Sequence, residues 1–185
     1  MGVLNEGINE VIATTATNAA PMGIRFVNGE FSMNLFTGSH THNNVARDGW
    51  IVANLVFDPV LYVQTAFGDL GPEAFCEIMV KGRRMVRLAN SEAWAAFSVT
   101  PGKVAAGVYH ADLALEQEFS ESSRPRPINR GFNSIIDATV HATRYNMNHS
   151  PELKRLIEYH AGIVRKCGGK RDHEALALLL EILQL

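Results

Sequence analysis

The chain has 185 residues, and its 46% hydrophobic and 19% charged composition is typical of a globular protein with a buried core. The formal net charge of −2 provides no basic field for nucleic acid or an anionic lipid surface, so neither partner is expected. MGVLNEGINEV at the N-terminus does not predict a secretory signal, and no apolar run reaches the roughly 18 residues that span a bilayer. Cys76 and Cys167 lack CxxC partners, which indicates a reducing cytoplasm and no structural zinc site or disulfide framework.

The first two thirds of the chain show the apolar and polar alternation of β-strands. Asn28-Gly29 lies between two alternating runs, GIRFV and EFSMNLF, and predicts a tight β-hairpin. Further strands are predicted at residues 10–17, 20–27, 50–57, 60–67, 75–80, 95–100, 103–110 and 111–119. Six to eight antiparallel strands hide their edges best by closing into a barrel. We therefore predict a β-barrel domain over residues 1–120.

A helical pattern begins after residue 120. SESSRPRP (120–127) is a polar connector, and beyond it apolar residues recur at the three- and four-residue spacing of an amphipathic helix. Ser150-Pro151 predicts the start of a second helix, Gly168-Gly169 its end, and Asp172 the cap of a third. Because three helices bury a small core by themselves, we expect the segment 121–185 to pack on the barrel or on a partner subunit.

The segment LFTGSHTHNNV (35–45) is rich in polar residues and permits three interpretations. His40 and His42 could ligate a metal, although the sequence shows no third ligand in a recognised motif. Small polar side chains around a glycine could instead bind a phosphate at the start of a short helix. The residues concerned are Thr37, Gly38, Ser39, Thr41 and Asn44. The third interpretation is a Gly-Ser turn with a helix N-cap and no ligand, and spacing alone does not decide among the three.

ATTATNAAPMG (13–23) is a second cluster of hydrogen-bond donors. Thr14, Thr15, Thr17 and Asn18 crowd the end of the first predicted strand. The glycine that follows, Gly23, would let a planar ring approach the backbone after Met22. The alternative is a polar strand end with a proline turn, and both interpretations stay open.

Asn54 and several cations are further candidates. Asn54 lies inside the apolar run WIVANLVF, where a buried amide needs partners, so it could bind a ligand or tie two strands together. Arg130, at the start of the first C-terminal helix, could bind an anion. A cluster of basic residues could neutralise a bound phosphate, or it could be an ordinary solvent-exposed surface. Its members are Lys81, Arg83, Arg84 and Arg87.

Four segments of the chain, in the same order, resemble the DUF447 proteins of archaea and bacteria. Those proteins are placed among the FMN-binding split-barrel flavoproteins. The segments are ATTATNAAPMG, LFTGSHTHNNV, IVANLVFDPVLYV and NRGFNSIIDATVHATR. The resemblance implies a six-stranded Greek-key split barrel, a homodimer, and FMN held at or near the dimer interface. Relatives in the superfamily include flavin reductases and pyridoxamine phosphate oxidases, so the fold does not fix the substrate.

The resemblance also implies positions for the cofactor. Asn54 would lie at the cofactor pocket, and His42 stands where the family pattern often has an aromatic residue, which leaves its role open. The residues lining the flavin ring would be Thr14, Thr15, Met22 and Gly23. Those holding the ribityl phosphate would be Gly38, Ser39, Thr41 and Asn44.

The sequence contains no nucleophile elbow, P-loop or dinucleotide-binding glycine turn. We therefore expect a cofactor to supply the reactivity, and the first hypothesis is an FMN-dependent, flavin-reductase-like oxidoreductase with a small-molecule substrate such as NAD(P)H. The lack of an evident acid–base pair favours a second hypothesis, a flavin- or nucleotide-binding module without turnover. A role in the biosynthesis of a pterin-type one-carbon cofactor is a third, for which no residue argues.

Overall fold

The computed structural model describes residues 2–120 and 127–185, so most of the predicted connector SESSRPRP lies outside the described residues. Within these residues the chain forms two compact units, 2–56 with 69–120 and 57–68 with 127–185. The second unit is therefore discontinuous, whereas the sequence predicts a single boundary at residue 120.

The described residues of the first unit form eight strands. They are β1 (Gly7–Thr15), β2 (Asn18–Val27), β3 (Glu30–Phe36), β4 (Trp50–Leu55), β5 (Phe75–Val80), β6 (Arg83–Leu88), β7 (Ala93–Ala105) and β8 (Val108–Ser120). Six of them close into an antiparallel barrel in the order β1-β2-β3-β8-β7-β4, while β5 and β6 form a separate hairpin. The predicted antiparallel barrel followed by a helical segment is confirmed.

Two tight turns set the register of the barrel strands. Asn28 and Gly29 have φ angles of 54° and 84°, so the predicted Asn-Gly hairpin joins β2 to β3. A second turn of this kind joins β7 to β8 at Ala106 and Gly107, whose φ angles are 50° and 78°. The strand predicted over residues 103–110 is wrong, because this turn divides it between β7 and β8. Ala106 is not a typical turn residue, so the apolar pattern of the sequence continues across the turn.

The barrel core is built from alternate side chains of its strands. Ile24, Ile51 and Phe97 are among its largest members, and each has 0% exposure. Helix α1 (His40–Asp48) packs against β1, β2 and β3 and contributes Val45 to the same core. Each buried aliphatic or aromatic side chain of this kind stabilises the fold by about 1.5–3 kcal/mol, so the core fixes α1 on the barrel.

The β5–β6 hairpin packs on the barrel through a smaller apolar cluster. Val80 and Met85 of the hairpin contact this cluster, to which β4 and β7 contribute Trp50 and Trp94. The sequence predicted β5 but not β6, because three of the six residues of β6 are arginines and leave no clear apolar and polar alternation.

The described part of the second unit contains four helices around one core. They are α2 (Pro59–Phe67), α3 (Arg130–Asn148), α4 (Pro151–Cys167) and α5 (Lys170–Leu183). The core includes Val60, Val63, Ile135, Ile157 and Leu179. None of the described helices has the length and apolarity that crossing a membrane requires. The three helices predicted over residues 121–185 thus share their core with a fourth, α2, which comes from the middle of the chain.

Helix α2 corrects the strand predicted at residues 60–67. Asp58 caps it by accepting a hydrogen bond from the N–H of Val60 at 3.0 Å, and Pro59 occupies the first turn. The spacing of apolar residues in a short run does not distinguish a helix from a strand. Asp58 and Pro59 were therefore the residues that indicated a helix. Arg171 of α5 binds the same carboxylate at 2.9 and 2.7 Å, which ties α5 to the start of α2.

The other helix ends follow the predicted signals with one difference. Ser150 and Gly168 lie at the predicted start and end of α4. Asp172 does not cap α5 from outside, because the helix already begins at Lys170. Its carboxylate instead reaches back to accept the N–H of Gly169 at 2.8 Å and the side-chain amide of Asn129 at 3.2 Å.

His141 of α3 and His160 of α4 face each other, with ring centroids 5.6 Å apart. The Nδ1 atom of each is buried and has no hydrogen-bond partner among the described residues, while the Asp137 carboxylate lies 4.0 Å from Nδ1 of His160. Burial, followed by the charge of His160, lowers the pKa of His141. The packing of α3 on α4 therefore favours the neutral form of His141.

We expect acidification to destabilise the protein partly through His141. Since its pKa in the folded state is lowered from the value of about 6.5 in an unfolded chain, its stabilising contribution is present above that pH and is lost as the pH falls through the folded-state pKa. Urea titrations at about pH 7.5 and about pH 5 should show a smaller loss of unfolding free energy in His141→Gln than in the wild type. His173→Gln, at an exposed position of α5, is the control. Equal losses in His141→Gln and the wild type would contradict the prediction.

Candidate functional site

LFTGSHTHNNV forms the end of β3, a turn and the first part of α1. Gly38 has a φ angle of 84°, which glycine adopts without strain, and the chain turns there into the helix. Ser39 is the N-cap, and its hydroxyl accepts a hydrogen bond from the N–H of His42 at 3.2 Å. The predicted turn and N-cap are confirmed, and the helix end is the place to look for an anion site.

The N-terminus of α1 presents backbone donors. The N–H groups of His40 and Thr41 belong to the first turn, where a helix offers no acceptor, and no hydrogen bond joins either group to the described residues. The helix dipole places partial positive charge at the same end. Gly38 and His40 are exposed, so a ligand can reach this end. The arrangement favours an anion that carries several acceptor oxygens.

Two hydrogen bonds fix α1 against the turn between β1 and β2. The Asn18 side chain donates to the Thr41 hydroxyl at 2.9 Å, and the Asn44 side chain donates to the Thr15 hydroxyl at 3.2 Å. Thr15 and Thr41 are buried, with 1% and 4% exposure. Thr15, Thr41 and Asn44 were predicted as cofactor ligands, and in the structure they hold the end of α1 in place.

A pocket of about 500 Å³ lies beside this helix end. His40, Asn43 and Asn44 line it from α1, where the three- and four-residue spacing places them on one face of the helix. Thr17 and Asn18 line it from the β1–β2 turn. The remaining lining residues precede β5 or begin it, and they are Asp69, Leu70, Pro72 and Phe75. The pocket thus combines neutral polar groups with an apolar surface, as sites for organic ligands do.

The pocket carries little formal charge. Among the described residues that line it, His40 and Asp69 are the titratable ones, and neither lysine nor arginine occurs. A ligand with a negative group therefore meets backbone N–H groups, neutral polar side chains, one imidazole and one carboxylate.

The predicted basic group has partners elsewhere in the first unit. Lys81 forms an ion pair with Glu116, and Arg84 lies 3.3 Å from Glu77. Arg87 donates to the carbonyl oxygen of Leu88 at 2.7 Å. None of these cations lines the pocket beside α1. Because exposed ion pairs contribute little energy, the group fits the solvated-face interpretation better than the phosphate one.

Asn54 is enclosed by backbone partners. Its side-chain amide donates to the carbonyl oxygens of Ile12 at 2.8 Å and Val52 at 3.2 Å, and to the Thr14 hydroxyl at 3.1 Å. Its oxygen accepts the N–H of Leu88 at 2.8 Å. Asn54 and Thr14 both have 0% exposure, so neither offers surface to a ligand. Of the two roles considered for Asn54, the geometry favours tying strands together.

The other predicted cofactor residues lie apart from this pocket. Met22 is half-buried against the barrel core, and Gly23 lines a second pocket, of about 850 Å³, on the barrel wall. A Cβ at position 23 would lie 2.8 Å from Cγ2 of Ile8, so a larger residue there would displace that side chain. Arg130 is the exposed first residue of α3, in the second unit. No single described pocket contains all the predicted residues.

His42 has a structural role that its sequence position left open. Its Nδ1 accepts the N–H of Gly38 at 3.3 Å, and its ring meets that of Tyr109 edge-on at 5.1 Å. It therefore faces the turn and the barrel, while His40 faces the pocket. The described residues contain no group of three or more histidine, cysteine or acidic side chains placed to hold a metal ion.

Sequence reasoning missed the part of the pocket that comes from residues 69–75. Asp69, Leu70, Pro72 and Phe75 have no motif in common and lie about 30 to 35 positions after α1 begins. Only the path of the chain back to the barrel after residue 68 brings them beside α1. No local signal in the sequence could have identified them.

Two family models match the chain. They are described as the N-terminal domain of a protein of unknown function (DUF447), over residues 9–123, and a protein of unknown function (DUF447), over residues 129–181. A putative flavin reductase with a split barrel domain from Shewanella frigidimarina matches at a TM-score of 0.52 and 12% identity, covering 63% of this chain and 68% of that one. That likeness concerns the fold alone, and it agrees with the predicted split barrel.

Two further relatives match nearly end to end. The uncharacterized protein MJ1453 of Methanocaldococcus jannaschii is 23% identical over 197 residues, which cover 94% of this chain and 96% of that protein. The crystal structure of the FMN-bound protein MM1853 from Methanosarcina mazei matches with a TM-score of 0.91 and 34% identity, covering 96% of this chain and 95% of that one. The chain therefore belongs to the DUF447 family.

Proposed function

We propose that this protein binds FMN, with the phosphate at the N-terminus of α1 and the remainder of the cofactor in the pocket of about 500 Å³ beside it. The observation that carries the proposal is the match to the FMN-bound protein MM1853, at 34% identity over 96% of this chain. Such identity over both units makes a shared cofactor the simplest expectation.

The residues present suit a phosphate. The N–H groups of His40 and Thr41 are available as donors, and Ser39 fixes their direction by capping the helix. The Asn43 and Asn44 side chains add neutral polar groups on the pocket face. Under this proposal Thr41 would donate its N–H to the phosphate, while Gly38, Ser39 and Asn44 would support the helix end.

The apolar part of the pocket suits a planar ring. Leu70, Pro72 and Phe75 offer a nonpolar surface, and an aromatic side chain can stack on an isoalloxazine system. Thr14 and Asn54 would not contact the cofactor, but they would hold together the strands that support the site. Direct contacts of Met22, Gly23 or Arg130 with the cofactor stay predictions.

We further propose a flavin-reductase-like oxidoreductase, because bound FMN would supply hydride chemistry that no side chain of the pocket offers. The protein would bind and orient the cofactor and exclude water from its reactive face. His40 and Asp69 are the groups in the pocket that can hold or release a proton. The second substrate would be a small molecule, for example NAD(P)H, and a homodimer in the cytoplasm stays the expected form of the protein.

The expected result is a yellow protein that NADH or NADPH bleaches. Purified protein incubated with FMN and freed of excess should retain the flavin absorbance bands, because the helix end and pocket hold the cofactor. Anaerobic addition of NADH or NADPH should then remove those bands as the flavin is reduced.

The outcomes separate the two parts of the proposal. Protein that stays colourless after incubation with FMN would count against a flavin site. Protein that retains FMN but is not bleached by either nucleotide would favour the alternative, a flavin-binding module without turnover.

A further inference from the structure

The proposed phosphate site is poor in positive charge. An organic phosphate carries about −1.5 to −2 charges at pH 7, and a helix N-terminus contributes the equivalent of only about +0.5. Among the described residues lining the pocket there is no lysine or arginine, and Asp69 adds a negative charge. The only basic side chain in this lining is that of His40. A protonated His40 is therefore the one full positive charge that a side chain of this described lining could offer to a bound phosphate.

His40 is placed to take up that proton. It is the first residue of α1, it is exposed, and it shares the pocket face of the helix with Asn43 and Asn44. His42, two residues on, is not equivalent. Its Nδ1 lies 3.3 Å from the backbone nitrogen of Gly38 and 3.3 Å from Oδ1 of Asn43, so this nitrogen is already engaged within the turn.

Among the described residues around His40, no other basic side chain is placed to meet a phosphate in this pocket. On α1 itself, Arg47 and Asp48 lie at the opposite end and pair with each other at 2.6 Å. The strands β1 and β2 meet α1 through the uncharged Thr15 and Asn18, and the contact from β8 is Tyr109 on His42. The segment before β5 contributes Asp69. No ion pair joins His40 to any of the described residues, so its charge is free to meet a ligand.

We infer, on the basis of the FMN site proposed above, that His40 binds the cofactor phosphate as an imidazolium, so that FMN binding takes up a proton and weakens as the pH rises. An anion stabilises the protonated imidazole, and by linkage the protonated protein binds the anion more tightly. The phosphate itself loses its second proton near pH 6. Above about pH 7 the phosphate is already a dianion, so a change in affinity there reports the protein.

The test is the dissociation constant of FMN, measured by quenching of flavin fluorescence at about pH 7 and about pH 8.5. Because one charge-assisted hydrogen bond is lost, wild-type affinity should fall by about three- to tenfold over this interval. His40→Gln keeps a polar side chain but cannot become charged, so it should bind FMN weakly at both pH values. Riboflavin, which lacks the phosphate, should bind equally at both. His173→Gln, at an exposed position of α5, should behave as the wild type.

The outcomes distinguish this inference from the proposed function. Equal wild-type affinity for FMN at the two pH values, or a pH dependence that persists in His40→Gln, overturns the role of His40 and leaves the flavin site intact. A matching pH dependence for riboflavin also overturns it, because the phosphate would not be involved. Failure of the wild type to bind FMN at either pH overturns the proposed function and this inference together.

Discussion

Replacing Asn54 with alanine should lower the free energy of unfolding by about 3 kcal/mol or more. The side chain satisfies the N–H of Leu88 and the carbonyl oxygens of Ile12 and Val52, and all of these contacts are buried. The N–H of Leu88 would be left without its buried acceptor, which costs about 1–3 kcal/mol, and the lost bonds to the two carbonyl oxygens and the cavity would add to this. Since a domain is stable by only about 5–15 kcal/mol, this is a large share of the total.

Urea denaturation measures the loss, and hydrogen exchange localises it. The amide proton of Leu88 should exchange much faster in Asn54→Ala, because its acceptor is removed while the rest of β6 stays paired with β5. Asn90→Ala removes an exposed asparagine from the connection between β6 and β7 and should change stability by less than about 0.5 kcal/mol. Unchanged protection of Leu88 in Asn54→Ala would show that the amide does not anchor the hairpin.

Replacing Gly131 with alanine should destabilise the second unit by about 2–3 kcal/mol. A Cβ at this position would lie 2.4 Å from Cα of Gly168 and 2.7 Å from its nitrogen. Both of these are backbone atoms, so no side-chain rotation can relieve the clash. The start of α3 must then move away from the end of α4, which disturbs the core around Ile135 and Val164.

Gly162→Ala is the matched control for this prediction. Gly162 lies in the interior of α4, and nothing would meet a Cβ there within 4 Å. Because alanine favours a helix over glycine, this substitution should stabilise the protein by up to about 1 kcal/mol. Thermal melting of the two variants should therefore shift in opposite directions. A shift of the same sign would mean that the close approach of Gly131 to Gly168 does not limit the packing.

The sequence located one half of the candidate site. Around LFTGSHTHNNV, the glycine, the serine cap and the polar residues that follow are local signals, because a turn and a helix start depend on neighbouring residues. Asn54 was recognised as a residue in need of partners, but its role depends on Leu88 of another hairpin. The apolar wall of Leu70, Pro72 and Phe75 was not recognised, because those residues carry no shared pattern.

The errors in secondary structure have the same origin. The run at residues 60–67 is apolar enough to be buried either as a strand or as a helix. It forms a helix because it packs in one core with α3 and α5. The strand β6 was not predicted because three of its residues are arginines, yet Met85 packs in the cluster that includes Trp50 and Trp94 of the barrel. In both cases a distant surface, rather than the local pattern, selected the structure.

By itself, the sequence determined the antiparallel strands, the tight turn at Asn28-Gly29, the capped end of α1 and the helical C-terminal segment, since each depends on residues within a few positions of one another. The tertiary structure alone decided which polar groups form hydrogen bonds within the protein and which are exposed to a ligand. Thr15 and Thr41 were used to dock α1, while His40 stayed on the pocket face with Asp69 nearby in the lining. The physical reason is that burial and hydrogen-bond partners are properties of pairs brought together by folding, and no single stretch of sequence contains both members.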